Sequence, residues 1–174
     1  MTRHRYLIIV ALCLTHGLLA SGTSAEDGPV QLKIGDEAPS WKDLVGTDDE
    51  KHSLTDLTDK QVVVICFTCN SCPYSVDYED RMIEFYRKFR ERKEGIALIA
   101  INANIKPAER LDRMKERAKA KAFPFPYLMD ETQEVAASYG ANFTPEFFVL
   151  NKDRRIVYMG ALDDQTQADK VEQR

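Results

Sequence analysis

Val62-Val63-Val64-Ile65-Cys66-Phe67-Thr68-Cys69-Asn70-Ser71-Cys72-Pro73 changes character halfway along its twelve residues. The first half is a continuous apolar, largely β-branched run with Asp59 and Lys60 just ahead of it. That is the pattern of a central strand covered on both faces. The second half carries two cysteines three residues apart and a proline that suits the first turn of a helix. A strand handing over to a helix at Cys69-x-x-Cys72 brings thiols to unpaired N–H groups and the positive end of a helix dipole. Both favour the thiolate, the reactive form of cysteine. On this reading Cys69 ionises more easily than a free thiol, and Cys72, one turn further in, is the more shielded. Two cysteines at this spacing can close a disulfide with little backbone movement.

Downstream, Met82, Ile83, Tyr86 and Phe89 recur at helical spacing. Ile96–Ile101 reads as a second buried strand, and Pro107 as the first turn of a helix striped by Leu111, Met114, Ala118 and Ala122. Phe125–Met129 is a short strand. Asp130 and Gln133 resemble a capping box for a helix that turns Val135, Ala136 and Tyr139 inward and stops at Gly140. Phe147–Leu150 and Ile156–Met159 are strands joined by a tight link, Asn151–Arg155, with Thr144-Pro145 just before the first. Upstream, residues 31–60 are short apolar pieces broken by turn residues, fit for a small hairpin or an irregular arm. Strands alternating with helices and closing on a hairpin predict an α/β fold, a mixed central sheet flanked by helices. The charges from Glu109 to Lys121 alternate in sign and read as a solvated helix face. Tyr74 and Tyr78 suit either a substrate surface or helix packing.

The chain has 174 residues, enough for one domain, and 44% of them are apolar, too many for a disordered segment. A net charge of -4 excludes the basic excess that nucleic-acid binding requires. Arg3, His4 and Arg5, then an apolar stretch from Tyr6 to Leu19, then Ser21-Gly22-Thr23-Ser24-Ala25, have the layout of a secretory signal peptide. Residues 1–25 are therefore expected to be removed and 26–174 to form the domain. The apolar stretch is short of the roughly 20 residues of a membrane span, so no membrane association is expected once the leader has gone. The protein is thus predicted to be secreted or periplasmic. Cys66, Cys69 and Cys72 remain after cleavage, too few to staple a scaffold, and point to a functional pair with one thiol to spare. With no fourth cysteine and His52 the remaining imidazole, the three make a poor metal or iron–sulfur set. No metal or other cofactor is expected, and Cys66 is read as a core thiol.

Ile34-Gly35-Asp36-Glu37-Ala38-Pro39, Ser53-Leu54-Thr55-Asp56-Leu57, Phe67-Thr68-Cys69-Asn70-Ser71-Cys72-Pro73 and Phe143-Thr144-Pro145-Glu146-Phe147-Phe148-Val149 together resemble the thioredoxin-like redoxins. That branch includes the alkyl hydroperoxide reductase/thiol-specific antioxidant superfamily and exported bacterial thioredoxin-like proteins. The resemblance spans residues 34 to 162. It implies a thioredoxin fold with a redoxin-type N-terminal arm and a strand–helix insertion from Phe125 to Gly140. It also implies Cys69 as attacking thiol, Cys72 as resolving thiol and Pro145 as a cis-proline beside them, with Pro73 and Thr144 in support. The partners implied are protein thiols or disulfides and an upstream electron donor or acceptor. Thioredoxin folds close with a helix after the last hairpin, and Lys170–Arg174 leaves that helix incomplete or frayed.

The departures are specific. The strand before the motif is apolar except for Cys66, so it carries no buried acid, and Glu146 reads as an exposed loop residue. Asn70-Ser71 brings no basic group to the thiols. A thiol peroxidase of the superfamily would show Pro-x-x-x-Thr-x-x-Cys, but Val62 stands where the proline belongs. Copper-binding assembly factors space their cysteines differently and need a distal histidine, which is missing here. The expected function is thiol–disulfide exchange outside the cytoplasm.

Overall fold

The computed structural model describes residues 31–91, 95–165 and 167–172; the predicted leader, residues 1–25, lies outside them. The strands are β1 (Leu44–Gly46), β2 (Lys51–His52), β3 (Val62–Phe67), β4 (Ile96–Asn102), β5 (Tyr127–Met129), β6 (Glu146–Leu150) and β7 (Ile156–Gly160). They form one sheet in the order β2-β1-β5-β4-β3-β6-β7. The helices are α1 (Pro73–Glu91), α2 (Leu111–Lys121) and α3 (Glu134–Tyr139). This is the thioredoxin fold that the sequence predicts, with a mixed sheet flanked by helices.

The apolar run becomes β3, parallel to β4 and antiparallel to β6. Because side chains alternate along a strand, β3 serves two cores. Val63, Ile65 and Phe67 pack with Trp41, Tyr139 and Phe148, while Val64 and Cys66 pack with Tyr78, Met82 and Phe147. The last pair of the register sets Phe67 beside Glu146, so β3 ends where β6 begins. The chain that follows β3 and the chain that precedes β6 therefore meet at one end of the sheet. The other end of β6 turns through Asn151–Arg155 into β7. There the N-terminal arm is stitched on: Gly35 N–H donates to Ile156 O, Ala38 N–H to Arg154 O, and Ile156 N–H to Asp36 O.

Two local expectations are corrected. Pro107 does not open α2. Pro107–Glu109 is a separate 3-10 turn, and Arg110, extended at φ -65° and ψ 158°, caps α2 from Leu111. The chain breaks there because Glu109 turns inward instead of lying on a helix face. Nor does Asp130 cap α3 through Gln133. Gln133 takes a left-handed φ of 63° and is itself the cap residue, and the Asp130 carboxylate reaches the Ala136 N–H at 2.9 Å. Gly140 ends α3 with a φ of 64°, as read from the sequence.

After β7 the described residues include a 3-10 turn at Ala168–Lys170. The stretch before it is pinned to α1 by Arg81, whose guanidinium lies 2.6 Å from the Asp163 carboxylate, and by the Tyr78 hydroxyl, which donates to Asp163 at 2.9 Å. Tyr78 is thus a packing residue, 3% exposed, whereas Tyr74 is open to solvent.

Candidate active site

Beyond Phe67 the chain turns through Thr68, whose N–H donates to Ile101 O at the end of β4. Cys69 follows and is buried, 4% exposed. Cys72 is half-buried and stands immediately before α1, its carbonyl accepting the Val76 N–H. Pro73 opens the helix and is exposed. Both sulfurs converge on Thr144 from the far side of the sheet end. Cys69 Sγ lies 3.6 Å from Thr144 Oγ1, and Cys72 Sγ donates to the Thr144 carbonyl at 3.3 Å. The Thr144–Pro145 peptide is cis. Cys69, Cys72 and Thr144 are therefore brought together, with Pro73 and Pro145 next to them in the chain.

The exposures are the reverse of the expectation: the first cysteine is the shielded one and the second is the accessible one. Between the two cysteines the loop is held by Glu109, 0% exposed, which the sequence hid among the alternating charges. Its Oε2 accepts the Asn70 N–H at 2.6 Å and Asn102 Nδ2 at 3.0 Å. Its Oε1 accepts the Ser71 N–H at 3.0 Å and the Ser71 hydroxyl at 2.5 Å. Asn70 is held further by Tyr127, whose hydroxyl donates to Oδ1 at 3.0 Å, and it donates from Nδ2 to Ala108 O at 2.9 Å. The carboxylate draws the Asn70-Ser71 loop toward the 3-10 turn. The buried acid that seemed missing from the site is thus supplied by the segment after β4. Glu146 acts elsewhere, its carboxylate accepting the Asn142 N–H at 2.9 Å and bracing the loop ahead of Thr144.

The charge environment of the thiols differs sharply. Partial burial pushes the Cys72 thiol up. The Ser75 N–H, the Thr144 side chain, the Tyr74 N–H and the Ser75 hydroxyl outweigh it and bring Cys72 below the ordinary thiol value. Burial pushes the Cys66 thiol well up, in keeping with a sulfur that is 0% exposed in the core under α1. Desolvation is the largest cause that raises Tyr127 well above its usual value, so its hydroxyl stays protonated and donating. Among the described residues no group of His, Cys, Asp or Glu is arranged to hold a metal ion. Two free thiols about a shared threonine make a pair that can pass between dithiol and disulfide.

Residues 33–173 match the sequence profile of the family described as Redoxin. The thiol-disulfide oxidoreductase ResA of Bacillus thuringiensis (strain Al Hakam) is 30% identical over 131 residues, covering 73% of this chain and 69% of that protein. The crystal structure of a hypothetical protein from Sinorhizobium meliloti 1021 is 30% identical, with a TM-score of 0.76, and covers 83% of this chain and 79% of that one. The thioredoxin domain of a thiol-disulfide oxidoreductase from Bacteroides vulgatus is similar in fold, with a TM-score of 0.63 at 17% identity, covering 74% of this chain and 89% of that one.

Proposed function

The chain belongs to the redoxin family, and from that premise we propose that its thiol–disulfide oxidoreductase activity resides in Cys69 and Cys72 and serves protein partners outside the cytoplasm. One observation carries the assignment of the pair: both sulfurs meet Thr144, Cys69 at its hydroxyl (3.6 Å) and Cys72 at its carbonyl (3.3 Å). Sulfurs gathered on one residue can exchange a disulfide without rearranging the fold. Thr144 and Pro145 border the reactive end, and Pro73 starts the helix that aims its N–H groups at Cys72.

Support for an exported domain at residues 26–174 comes from the leader-like N-terminus and from the near absence of other cysteines. Among the described residues no helix is long and apolar enough to cross a membrane. The partners are protein thiols or disulfides together with a dithiol electron donor or an acceptor.

The test is turnover of a peptide carrying one internal disulfide, driven by dithiothreitol. Cys69→Ser and Cys72→Ser should each abolish catalytic turnover, and Cys66→Ser should retain it. Turnover that survives the loss of both motif cysteines would overturn the assignment. Fractionation of the source cells, with the chain found outside the cytoplasm and starting near Glu26, is expected for the exported reading; an intact leader in the cytosol would sink it.

A further inference from the structure

We propose that the reactive end receives a flexible polypeptide whose cysteine is flanked by large apolar side chains, and that Phe143 is the residue that selects it. This rests on the exchange reading above and names the substrate class of the same site. Two observations carry it, one of apolar surface and one of charge.

Among the described residues, the exposed large apolar side chains fall into two groups. Ile34, Val157 and Tyr158 belong to the N-terminal arm and β7. Tyr74, Ile105 and Phe143 come from three separate segments that meet at the reactive end. Tyr74 stands two residues beyond Cys72, in the first turn of α1. Phe143, 74% exposed, precedes Thr144, whose carbonyl accepts from Cys72 Sγ at 3.3 Å. Ile105 lies in the loop after β4, and three residues further on the Ala108 carbonyl accepts from Asn70 Nδ2 at 2.9 Å. The thiol pair thus has a large apolar residue on each of three flanks.

The loops that carry them are held by hydrogen bonds. The Glu146 carboxylate accepts the Asn142 N–H at 2.9 Å and the Phe143 N–H at 3.4 Å. Asn142 Nδ2 donates to the Gly140 carbonyl at 2.7 Å. Beside Ile105, the Asn104 N–H donates to Asn102 Oδ1 at 3.0 Å and the Lys106 N–H to Asn104 Oδ1 at 3.4 Å. A partner that covers these residues therefore has little backbone freedom to remove. It also takes apolar area out of water, and aromatic anchors contribute most at protein interfaces.

The charge pattern agrees. Residues 68–76, 102–105 and 141–145 build this end and contain no Asp, Glu, Lys or Arg, in a chain of which 30% is charged. The charges that follow them are Asp77, Lys106 and Glu146, and the Glu146 carboxylate is turned onto its own loop. A small thiol bearing carboxylates finds no row of cations here, whereas an uncharged apolar segment meets side chains of its own polarity. Residues spread over three flanks are covered together by a chain of several residues, not by a small disulfide. In a folded partner, large apolar side chains beside a disulfide are turned into the core. They can turn onto this rim only from a segment that is not packed.

The experiment uses the full chain, dithiothreitol and two peptides of equal length, each with one internal disulfide. Leu and Phe flank the cysteines in one, Ser and Gly in the other. The kcat/KM of the unaltered chain should be on the order of tenfold higher for the apolar peptide. Phe143→Ser, at an exposed side chain that the fold does not need, should cut that ratio on the order of fivefold, mainly through KM. Val157→Ser, an exposed apolar site toward the far end of β7, should leave the ratio as it is. Equal kcat/KM for the two peptides, or a fall in Phe143→Ser that is the same for both, overturns the proposal and leaves disulfide exchange standing. Glutathione disulfide turned over as fast as the apolar peptide overturns it in favour of a small thiol. A dimer seen by sedimentation that Phe143→Ser dissolves overturns it in favour of a second copy of the chain. Turnover of neither peptide overturns the exchange reading and the proposal with it.

Discussion

Glu109 gathers two backbone N–H groups, a hydroxyl and an amide on one buried carboxylate, and so fixes the loop between the two thiols. Hydrogen bonds to a charged group are worth more than neutral ones, and the donors left behind would be poorly solvated. Glu109→Ala should therefore lower unfolding free energy by about 2–3 kcal/mol in urea titration. Glu109→Gln, of nearly the same shape, should cost less, because its amide oxygen still accepts from some of these donors. A loss in Glu109→Gln as large as in Glu109→Ala would show that shape and remaining acceptors contribute nothing. Cys66 is the contrasting residue. It is buried under α1 and joins no partner at the site, so Cys66→Ala should cost about 1 kcal/mol and leave peptide-disulfide reduction intact. The burial of Cys66 and the closeness of Cys69 and Cys72 could be read from spacing and composition. Glu109 could not, because a charged residue amid alternating charges carries no local sign of burial. The single hint was Pro107, which forces a turn just after β4 and brings the chain back across the sheet end.

At the scale of elements, the strands and α1 were legible because their apolar periods are strong and unbroken. The errors fell at helix starts, where one tertiary bond outweighs a local motif. The inward pull on Glu109 splits Pro107–Glu109 from α2, and the Asp130 carboxylate serves Ala136 in place of the nearer amides. The contact between α1 and α2 was likewise invisible, since Glu79 and Arg117 are each ordinary surface types. In the folded chain the Arg117 guanidinium grips both oxygens of the Glu79 carboxylate, each at 2.7 Å, and Glu79 is 5% exposed. Among the described residues, Arg117→Ala leaves that buried carboxylate with the more distant Lys121, at 3.6 Å, and should cost about 2–3 kcal/mol. Glu79→Gln, which removes the charge and keeps the shape, should cost less. A smaller loss in Arg117→Ala than in Glu79→Gln, by urea unfolding, would show that the pair contributes through packing alone.

For the molecule as a whole, buried acids of high pKa set the alkaline limit of stability. Burial raises Cys66 well above 9.0, and raises Tyr127 and Tyr139 above 10.0. A raised folded value contributes stability that is complete below the unfolded value and is lost as pH climbs toward the folded one. The urea midpoint should therefore fall between about pH 9 and pH 11 as the unfolded chain loses protons that the folded chain keeps. Cys72, lowered in the fold, acts in the opposite sense below pH 9.0 and offsets part of that loss near its onset. A midpoint that holds steady to pH 11 would contradict this. The order of strands was legible as a class, a mixed sheet, because alternating strands and helices admit few topologies. Which two loops meet at the reactive end required the register, which pairs Phe67 with Glu146. That register has a geometric corollary at the opposite pole. The N-terminal arm is sewn to residues 154–156, beyond the far end of β6, and five strand residues at about 3.3 Å each separate that seam from Thr144 by roughly 15 Å. The seam therefore lies at the tail of the molecule, away from its head. Chains immobilised through the N-terminus on a bead or a lipid surface should present Cys72 outward and exchange disulfides at nearly the rate of the free protein, whereas chains held through Tyr74 should not.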